Sequence, residues 1–250
     1  MAALGGRCEM AKFINSKLLG RKIRWDDDVS ELGKSTYKLT EQLIKSGKAE
    51  EALELLEYEQ AEWINLHDAI IEFAAAELTF VVENFGEAHI DKLWRHVGKR
   101  TVEFLFANLD SQTPEEMVAL YTELQRAHGA GSERLGEFSV VEGPDRFVMS
   151  FDPCGSGGRL RKMGKAGGLT VKSYPWSWSK TGVPYYCAHC CLFFELMPAE
   201  TLGYPIRIHE NVDSPDKPCV QIVYKDPALI PEHYFTRIGV ERDPSRFHQG

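Results

Sequence analysis

Long apolar runs and a surplus of positive charge are both missing from this chain of 250 residues. No stretch of about 18 uncharged apolar residues occurs, so the sequence predicts no membrane-spanning helix. Aspartate and glutamate number 37 against 29 lysines and arginines, which gives a formal net charge of −8. Proteins that bind nucleic acid or anionic membranes usually carry a basic surface. We therefore expect neither nucleic acid nor a membrane as a partner.

Export signals are also missing. The first residues contain no apolar stretch followed by a small-residue cleavage site, so we expect no secretory signal and a cytoplasmic protein. Thiols of an unexported protein are normally kept reduced. The six cysteines therefore indicate metal binding or a reactive catalytic thiol rather than a disulfide framework.

Motifs that would assign a reaction on their own do not occur. No histidine has a glutamate three residues before it and H-E-x-x-H is missing, which argues against a carboxylate-bridged di-iron bundle and a zincin. The sequence has no G-x-S-x-G elbow and no G-x-G-x-x-G fingerprint. Gly164-Lys165 is followed by Ala166 rather than by serine or threonine, so this segment is not a P-loop.

The cysteines that are present are concentrated in a few places. Cys187, Cys190 and Cys191 lie within five residues of one another, together with His189. Another precedes a glycine-rich loop at position 154, and a further one lies downstream at position 219. Thiolates at this density favour zinc or an iron–sulfur cluster.

We predict a zinc site, with iron–sulfur less favoured, because two local and two remote thiolates suit tetrahedral coordination. The predicted ligands are Cys154, Cys187, Cys190 and Cys219. His189 or His209 would be the exchangeable ligand, and an open coordination position would activate water. Two alternatives stay open: the thiols are small buried hydrophobes, which Cys191 fits best, or one of them is a nucleophile.

A glycine-rich loop and two tryptophans supply candidate substrate contacts. Residues 155–158 can bring backbone amides close to an anion, and Arg159 and Arg161 carry guanidinium groups suited to a carboxylate. Trp176 and Trp178 would wall a pocket for a flat or apolar ligand. The alternatives are a solvated surface loop and a cover for the hydrophobic core.

The nearest candidates for acid–base catalysis are His189, Glu195, His209 and Glu210, and we single out three of them: His189, His209 and Glu195. Proton transfer requires a group that can change its protonation state within reach of the substrate. Each of the three is equally consistent with a structural role.

The pattern of apolar and turn residues along the chain predicts an α+β fold. In this fold a helical N-terminal half packs on a C-terminal mixed half, which contains a small antiparallel sheet and the cysteine-rich metal site. Helical apolar spacing and capping residues predict helices, and alternation between turn residues predicts strands. The predicted helices are residues 50–84, 87–108, 114–127 and 187–197. The predicted strands are residues 137–141, 146–151, 206–209 and 220–224, with loops over 152–183.

We expect three parts along the chain: a flexible N-terminal segment of residues 1–26, a helical region of residues 27–130, and an α+β metal- and ligand-binding region of residues 131–250. The long helical half offers an interface for a homodimer.

Residues 187–224 carry a family resemblance. They read Cys-x-x-Cys, an apolar helix, Gly203-Tyr204-Pro205, a strand, and a second strand that opens with Cys219. This order resembles the C-terminal part of small-molecule-binding domains of the vinyl reductase type, and it is similar to aminothiazoline-carboxylate hydrolase-like proteins. The resemblance implies an α+β fold with a ligand pocket and makes Cys187 and Cys219 site residues. The sequence departs from the vinyl reductase type where that type has a cysteine in the preceding strand, and His209 would substitute there.

These features together predict a zinc-dependent hydrolase or lyase that acts on a small carboxylate, which could be cyclic or aromatic. The alternatives are a non-catalytic small-molecule-binding or sensor domain with a structural zinc, and a metal-free enzyme with a cysteine nucleophile.

Overall fold

The structure, a computed structural model, describes residues 12–106, 108–109, 112–129, 137–214 and 216–247. It confirms the predicted α+β class, since helices accompany two small antiparallel sheets. Contacts along the chain form two compact units, Met1–Leu66 and His67–Gly250. The predicted boundaries after residues 26 and 130 stay predictions. Cys8 lies outside the described residues.

The first unit combines a hairpin with helices. Strand β1, Lys12–Ser16, pairs antiparallel with strand β2, Arg21–Trp25, inside the segment that was predicted to be flexible. Helix α1, Thr36–Lys45, begins where the Ser35 hydroxyl accepts a hydrogen bond from an amide of the first turn. Helix α2, Ala49–Phe85, starts in this unit and continues into the second.

Helices α3, His89–Thr101, and α4, Glu103–Phe106, stand in the second unit where the sequence predicted a single helix. Helix α5, Pro114–Ala127, begins at the predicted proline. The Thr113 hydroxyl accepts a hydrogen bond from the Glu116 amide (3.2 Å), and the Thr113 amide donates one to the Glu116 carboxylate (2.8 Å). This reciprocal pair satisfies amides that the helix itself leaves free, which fixes the start of α5.

The sheet of the second unit has the order β3-β4-β6-β5, and each neighbouring pair is antiparallel. Its strands are β3, Glu137–Glu142; β4, Arg146–Asp152; β5, Ile208–Glu210; and β6, Cys219–Tyr224. Strand β4 buries every second side chain, as a strand with one face on the core requires. His209 lies opposite Gln221 in the register of β5 and β6, and Cys219 shares the face of Gln221 because it lies two residues away.

Short helices complete the second unit: α6, Gly157–Lys162; α7, Ala188–Cys191; α8, Met197–Leu202; and α9, Glu232–Thr236. The first of these interrupts the region that was predicted to be loop. Between α7 and α8 the chain widens into a π-helical turn over Leu192–Leu196, and every residue of that turn is buried. Within the described ranges, no helix is both long enough and apolar enough to cross a membrane.

Candidate functional site

Four cysteines from three separate segments line one cavity of about 110 Å³ in the second unit. They are Cys154, Cys187, Cys190 and Cys219, and we call their shared space the thiol cavity. Helix α5 and strands β5 and β6 supply further walls. Cys191 lies instead in the core, where its sulfur is 3.4 Å from the Pro175 carbonyl oxygen. The structure thus brings the four predicted ligands together and separates their neighbour Cys191 from them.

The glycine loop after β4 makes room for two of the sulfur atoms. A Cβ atom on Gly157 would lie 2.6 Å from the Cys187 sulfur, and one on Gly158 would lie 2.9 Å from the Cys154 sulfur. Both separations are shorter than van der Waals contact allows, so a side chain at either position would displace a thiol. Glycine is needed here because the backbone approaches the sulfurs closely.

The surroundings of Cys154 favour its thiolate. A hydrogen bond from the Cys219 thiol and amide hydrogen bonds from Gly158 and Ser156 hold the pKa of Cys154 below its usual value, although burial opposes this. The Gly158 amide nitrogen lies 2.9 Å from the sulfur. Hydrogen bonds to the charged form lower a thiol pKa, and the thiolate is the reactive form. Cys154 is therefore the thiol of this cavity best placed to act as an anion.

Two other thiols of the cavity keep their protons. Burial, together with the neighbouring thiols Cys154 and Cys190, raises the pKa of Cys187 well above the ordinary value. The hydrogen bond to Cys154, followed by burial, raises the pKa of Cys219 in the same way. One negative charge among close sulfurs suppresses the ionisation of the others.

His189 lies on the cavity wall in its neutral form. Its Nδ1 atom is 2.5 Å from the Tyr186 carbonyl oxygen, so Nδ1 carries the proton and donates it. The Nε2 atom is then an acceptor, and it lies 3.4 Å from the Cys190 sulfur. Burial lowers the pKa of His189 to about 4, which leaves the ring neutral near pH 7.

His209 is completely buried, and a carboxylate behind it fixes its orientation. The Glu195 Oε1 atom accepts hydrogen bonds from the His209 amide (2.7 Å), His209 Nδ1 (3.2 Å) and Trp178 Nε1 (2.7 Å). Arg237 Nη2 donates to Oε2 at 2.7 Å. Burial alone would raise the pKa of Glu195, but Arg237 and His209 outweigh it, and the pKa is lowered.

The ionised Glu195 therefore holds the proton of His209 on Nδ1. The opposite atom, Nε2, is buried without a hydrogen-bond partner in the part of the chain that the structure describes, and His209 lines the thiol cavity. A carboxylate behind an imidazole is the arrangement that orients a metal ligand or a general base. Glu195 itself lies behind this histidine rather than on the cavity wall.

The two predicted arginines occupy different places. Arg159 is buried in an ion pair with Asp68, with a shortest distance of 2.6 Å between Nη2 and Oδ1, and it also donates to the His128 carbonyl oxygen. Its guanidinium is thereby occupied, and Arg159 is not part of the cavity wall. Arg161 does line the cavity, where its Nη1 donates to the Val212 carbonyl oxygen at 2.9 Å.

The two tryptophans lie outside the thiol cavity. Trp176 stacks on Tyr174 with 4.7 Å between ring centroids and lines a separate, open cleft. Trp178 is buried and donates to Glu195. Trp178 thus acts on the site through the carboxylate that orients His209, and neither ring walls the cavity.

Sequence reasoning missed Arg207, which precedes β5 and lines the cavity. Its side chain is 3% exposed, and its guanidinium carbon lies 3.5 Å from the Phe194 ring centroid and 4.4 Å from that of Tyr121. A signal was available in the alternation of residues 206–209. Positions two apart share a face of an extended chain, so the face that carries His209 also carries Arg207.

A complete metal site is not shown by the described residues. Among them, no group of three or more His, Cys, Asp or Glu side chains is placed to hold a metal ion. The four thiols have the donor chemistry that zinc prefers, but they surround a cavity instead of converging on one point. The predicted zinc therefore stays a prediction.

In comparisons with known proteins, no protein-family model, no curated protein and no solved structure matches this chain. The resemblance described for residues 187–224 therefore depends on those residues alone.

Proposed function

We propose that the thiol cavity is the active site of a hydrolase, or of a related lyase, that acts on a small carboxylate. One observation carries this proposal: Cys154, whose surroundings favour the thiolate, lines the same cavity as His209, whose Nε2 atom has no hydrogen-bond partner among the described residues. A nucleophile, a base and a group that orients the base form the set required for covalent hydrolysis. Here these groups are Cys154, His209 and Glu195.

The hydrolytic reaction follows from these groups. The Cys154 thiolate attacks an electrophilic carbon of the substrate, a C–S bond forms, and the leaving group departs with a proton from the Cys219 thiol. Water then attacks the thioester while His209 Nε2 accepts its proton, which returns to Cys219 as the thiolate of Cys154 is released. His189 is the second candidate base, since it is neutral, but its Nε2 lies against Cys190.

A matched pair of variants tests this proposal. Turnover should be assayed on a panel of small carboxylates that bear a hydrolysable amide, ester or amidine bond. Cys154→Ala should lower the rate by at least about 1,000-fold, because nucleophile removal eliminates the covalent route. Cys191→Ala removes a cysteine from the core but not from the cavity, and it should leave the rate within a few fold. Equal rates for Cys154→Ala and the unchanged protein would refute the nucleophile.

Zinc-dependent hydrolysis or lyase chemistry is the second candidate, and the four thiols on one cavity favour it. Cys154, Cys187, Cys190 and Cys219 would hold the ion, with His189 or His209 as the exchangeable ligand. Bound zinc would supply an activated water near neutral pH. Elemental analysis of protein purified without a chelator separates the two candidates: about one equivalent of zinc supports the metal, and less than about a tenth excludes it.

A small-molecule-binding or sensor domain is the non-catalytic alternative. We also propose a cytoplasmic location for the protein, and the free state of the described cysteines is compatible with it.

The predicted homodimer remains a proposal as well. The part of α2 in the second unit exposes Ile70, Phe73 and Phe80, and exposed apolar side chains at helical spacing favour self-association. Light scattering after size-exclusion chromatography tests this, since Phe73→Glu should convert a dimer to a monomer.

A further inference from the structure

Three buried polar atoms that have no hydrogen-bond partner among the described residues belong to side chains on one cavity wall. They are Arg207 Nε, His209 Nε2 and Gln221 Oε1, and all three side chains line the thiol cavity. The strand register explains why they meet: His209 and Gln221 are paired across β5 and β6, and Arg207 lies two residues before His209. Buried polar groups are normally hydrogen-bonded, so three unsatisfied atoms on one wall indicate a ligand that satisfies them.

Of these three side chains, Arg207 has the greatest need of a partner because it carries a charge. A guanidinium stays charged in proteins, and burying it without an anion is costly. The ring centroids of Phe194 and Tyr121 lie 3.5 Å and 4.4 Å from its guanidinium carbon, but an aromatic ring does not supply the charge of an anion. Across the described ranges, the buried Nε atom of Arg207 has no hydrogen-bond partner.

Fixed carboxylates near Arg207 do not neutralise it. Glu195 acts on it electrostatically, but Glu195 is already paired with Arg237 at 2.7 Å. Among the described residues that line the cavity there is no aspartate or glutamate. The carboxylate of a bound ligand can take that place.

The volume of the cavity limits the size of that ligand. A cavity of about 150 Å³ accommodates benzene, and a water molecule occupies about 30 Å³. The thiol cavity, at about 110 Å³, therefore admits a molecule somewhat smaller than benzene. An acid with about six non-hydrogen atoms, the number that benzene has, is therefore the upper size limit.

We infer that Arg207 binds the carboxylate of a small 2-hydroxy or 2-amino acid, and that the Gln221 carboxamide oxygen accepts a hydrogen bond from the hydroxyl or amino group beside that carboxylate. The inference rests on the proposed function for the role of the site, but it concerns recognition rather than chemistry. It moves the carboxylate contact from Arg159, which Asp68 occupies, to Arg207.

Ligand titrations of the full chain test this recognition. The probes are lactate, alanine, propionate and lactamide, with sodium chloride at matched ionic strength as the blank, and the readout is the shift in melting temperature. Lactate or alanine should stabilise the protein measurably. Propionate lacks the second polar group and should bind at least about fivefold more weakly, and lactamide lacks the charge and should give no shift.

Substitution of Arg207 supplies the decisive comparison. Arg207→Met keeps a long apolar side chain beside the two rings, and it should weaken lactate binding at least about tenfold without lowering the melting temperature of the free protein. The matched control is Arg146→Met, at an arginine that lies over Tyr224 and outside the cavity wall, and it should bind lactate normally. If Arg207→Met does not fold, Arg207→Lys replaces it, with the same expected loss because the planar fork is removed.

Several results would overturn the inference. They are a lactate shift no larger than the salt blank, equal affinity of lactate and propionate, and unchanged lactate affinity in the Arg207 variant. The result is distinguishable from a failure of the proposed function. If acids bind through Arg207 but no turnover is found, the proposed hydrolase is wrong and the carboxylate contact of Arg207 stands. If turnover requires Cys154 but is unchanged in Arg207→Met, the hydrolase stands and the carboxylate contact is wrong.

Discussion

At the residue scale, the site depends on which charged side chains are already occupied. Arg159 follows the glycine loop directly and was the natural candidate for a carboxylate, but Asp68 neutralises it from a distant part of the sequence. Arg207 lies among apolar residues in the sequence, and only the three-dimensional structure shows that no described carboxylate lines its cavity. No local pattern reveals which of two arginines meets an acid, because the acid comes from another element.

The pairing around Glu195 leads to a prediction about stability. Glu195→Gln removes the charge that Arg237 and His209 share, and it places an amide donor among groups that already donate to this position. Breaking a buried pair in this way should lower the free energy of unfolding by about 3–5 kcal/mol, measured by urea denaturation.

The control for that substitution is Glu200→Gln. Glu200 pairs with Arg95 at the surface, where the Glu200 side chain is 45% exposed. Loss of such a pair should lower the free energy of unfolding by about 1 kcal/mol or less. Equal losses for the two variants would show that Glu195 does not hold a buried network together.

At the scale of elements, the sequence predicted what depends on neighbours in the chain. The start of α5 follows from Thr113 and Pro114, and the hairpin of β3 and β4 follows from alternation on either side of a turn. The π-helical turn at Leu192–Leu196 was not predicted, because its widening depends on what packs around it rather than on local propensity. The meeting of Cys154 with Cys219 likewise depends on strand order, which spacing alone does not give.

The glycine loop supplies a prediction at this scale. In Gly157→Ala the new methyl group would lie 2.6 Å from the Cys187 sulfur, so the loop or the thiol must move. Overpacking of this kind should cost about 1–3 kcal/mol in unfolding free energy. Gly33→Ala is the control, since nothing lies within 4 Å of its added Cβ, and it should change stability by about 0.5 kcal/mol or less. A neutral Gly157→Ala would show that the loop does not press against the thiols.

At the scale of the whole molecule, the buried histidines couple folding to pH. Burial lowers the pKa of His189 to about 4, and it lowers those of His67 and His128 as well. The unfolded chain therefore binds more protons than the folded one below about pH 6.5, so stability is full above that pH and is lost as the pH falls towards 4.

His189→Gln isolates one of these contributions. Between about pH 7 and pH 4.5 the unchanged protein should lose about 2 kcal/mol more unfolding free energy than the variant, because the variant has no imidazole to protonate at that position. Chemical denaturation at several pH values measures the difference. Parallel stability profiles for the two proteins would contradict a buried, neutral His189.

The most direct test of the central claim is the pH dependence of alkylation at each cysteine. The protein is treated with iodoacetamide between about pH 5 and pH 9, and peptide mass spectrometry measures the extent of reaction at each position. Cys154 should react with a midpoint below that of an ordinary thiol, while Cys187 and Cys219 react only at higher pH and Cys191 stays protected in the core. A Cys154 midpoint equal to that of free cysteine, or faster reaction at Cys219 near pH 7, would contradict a nucleophilic thiolate at Cys154.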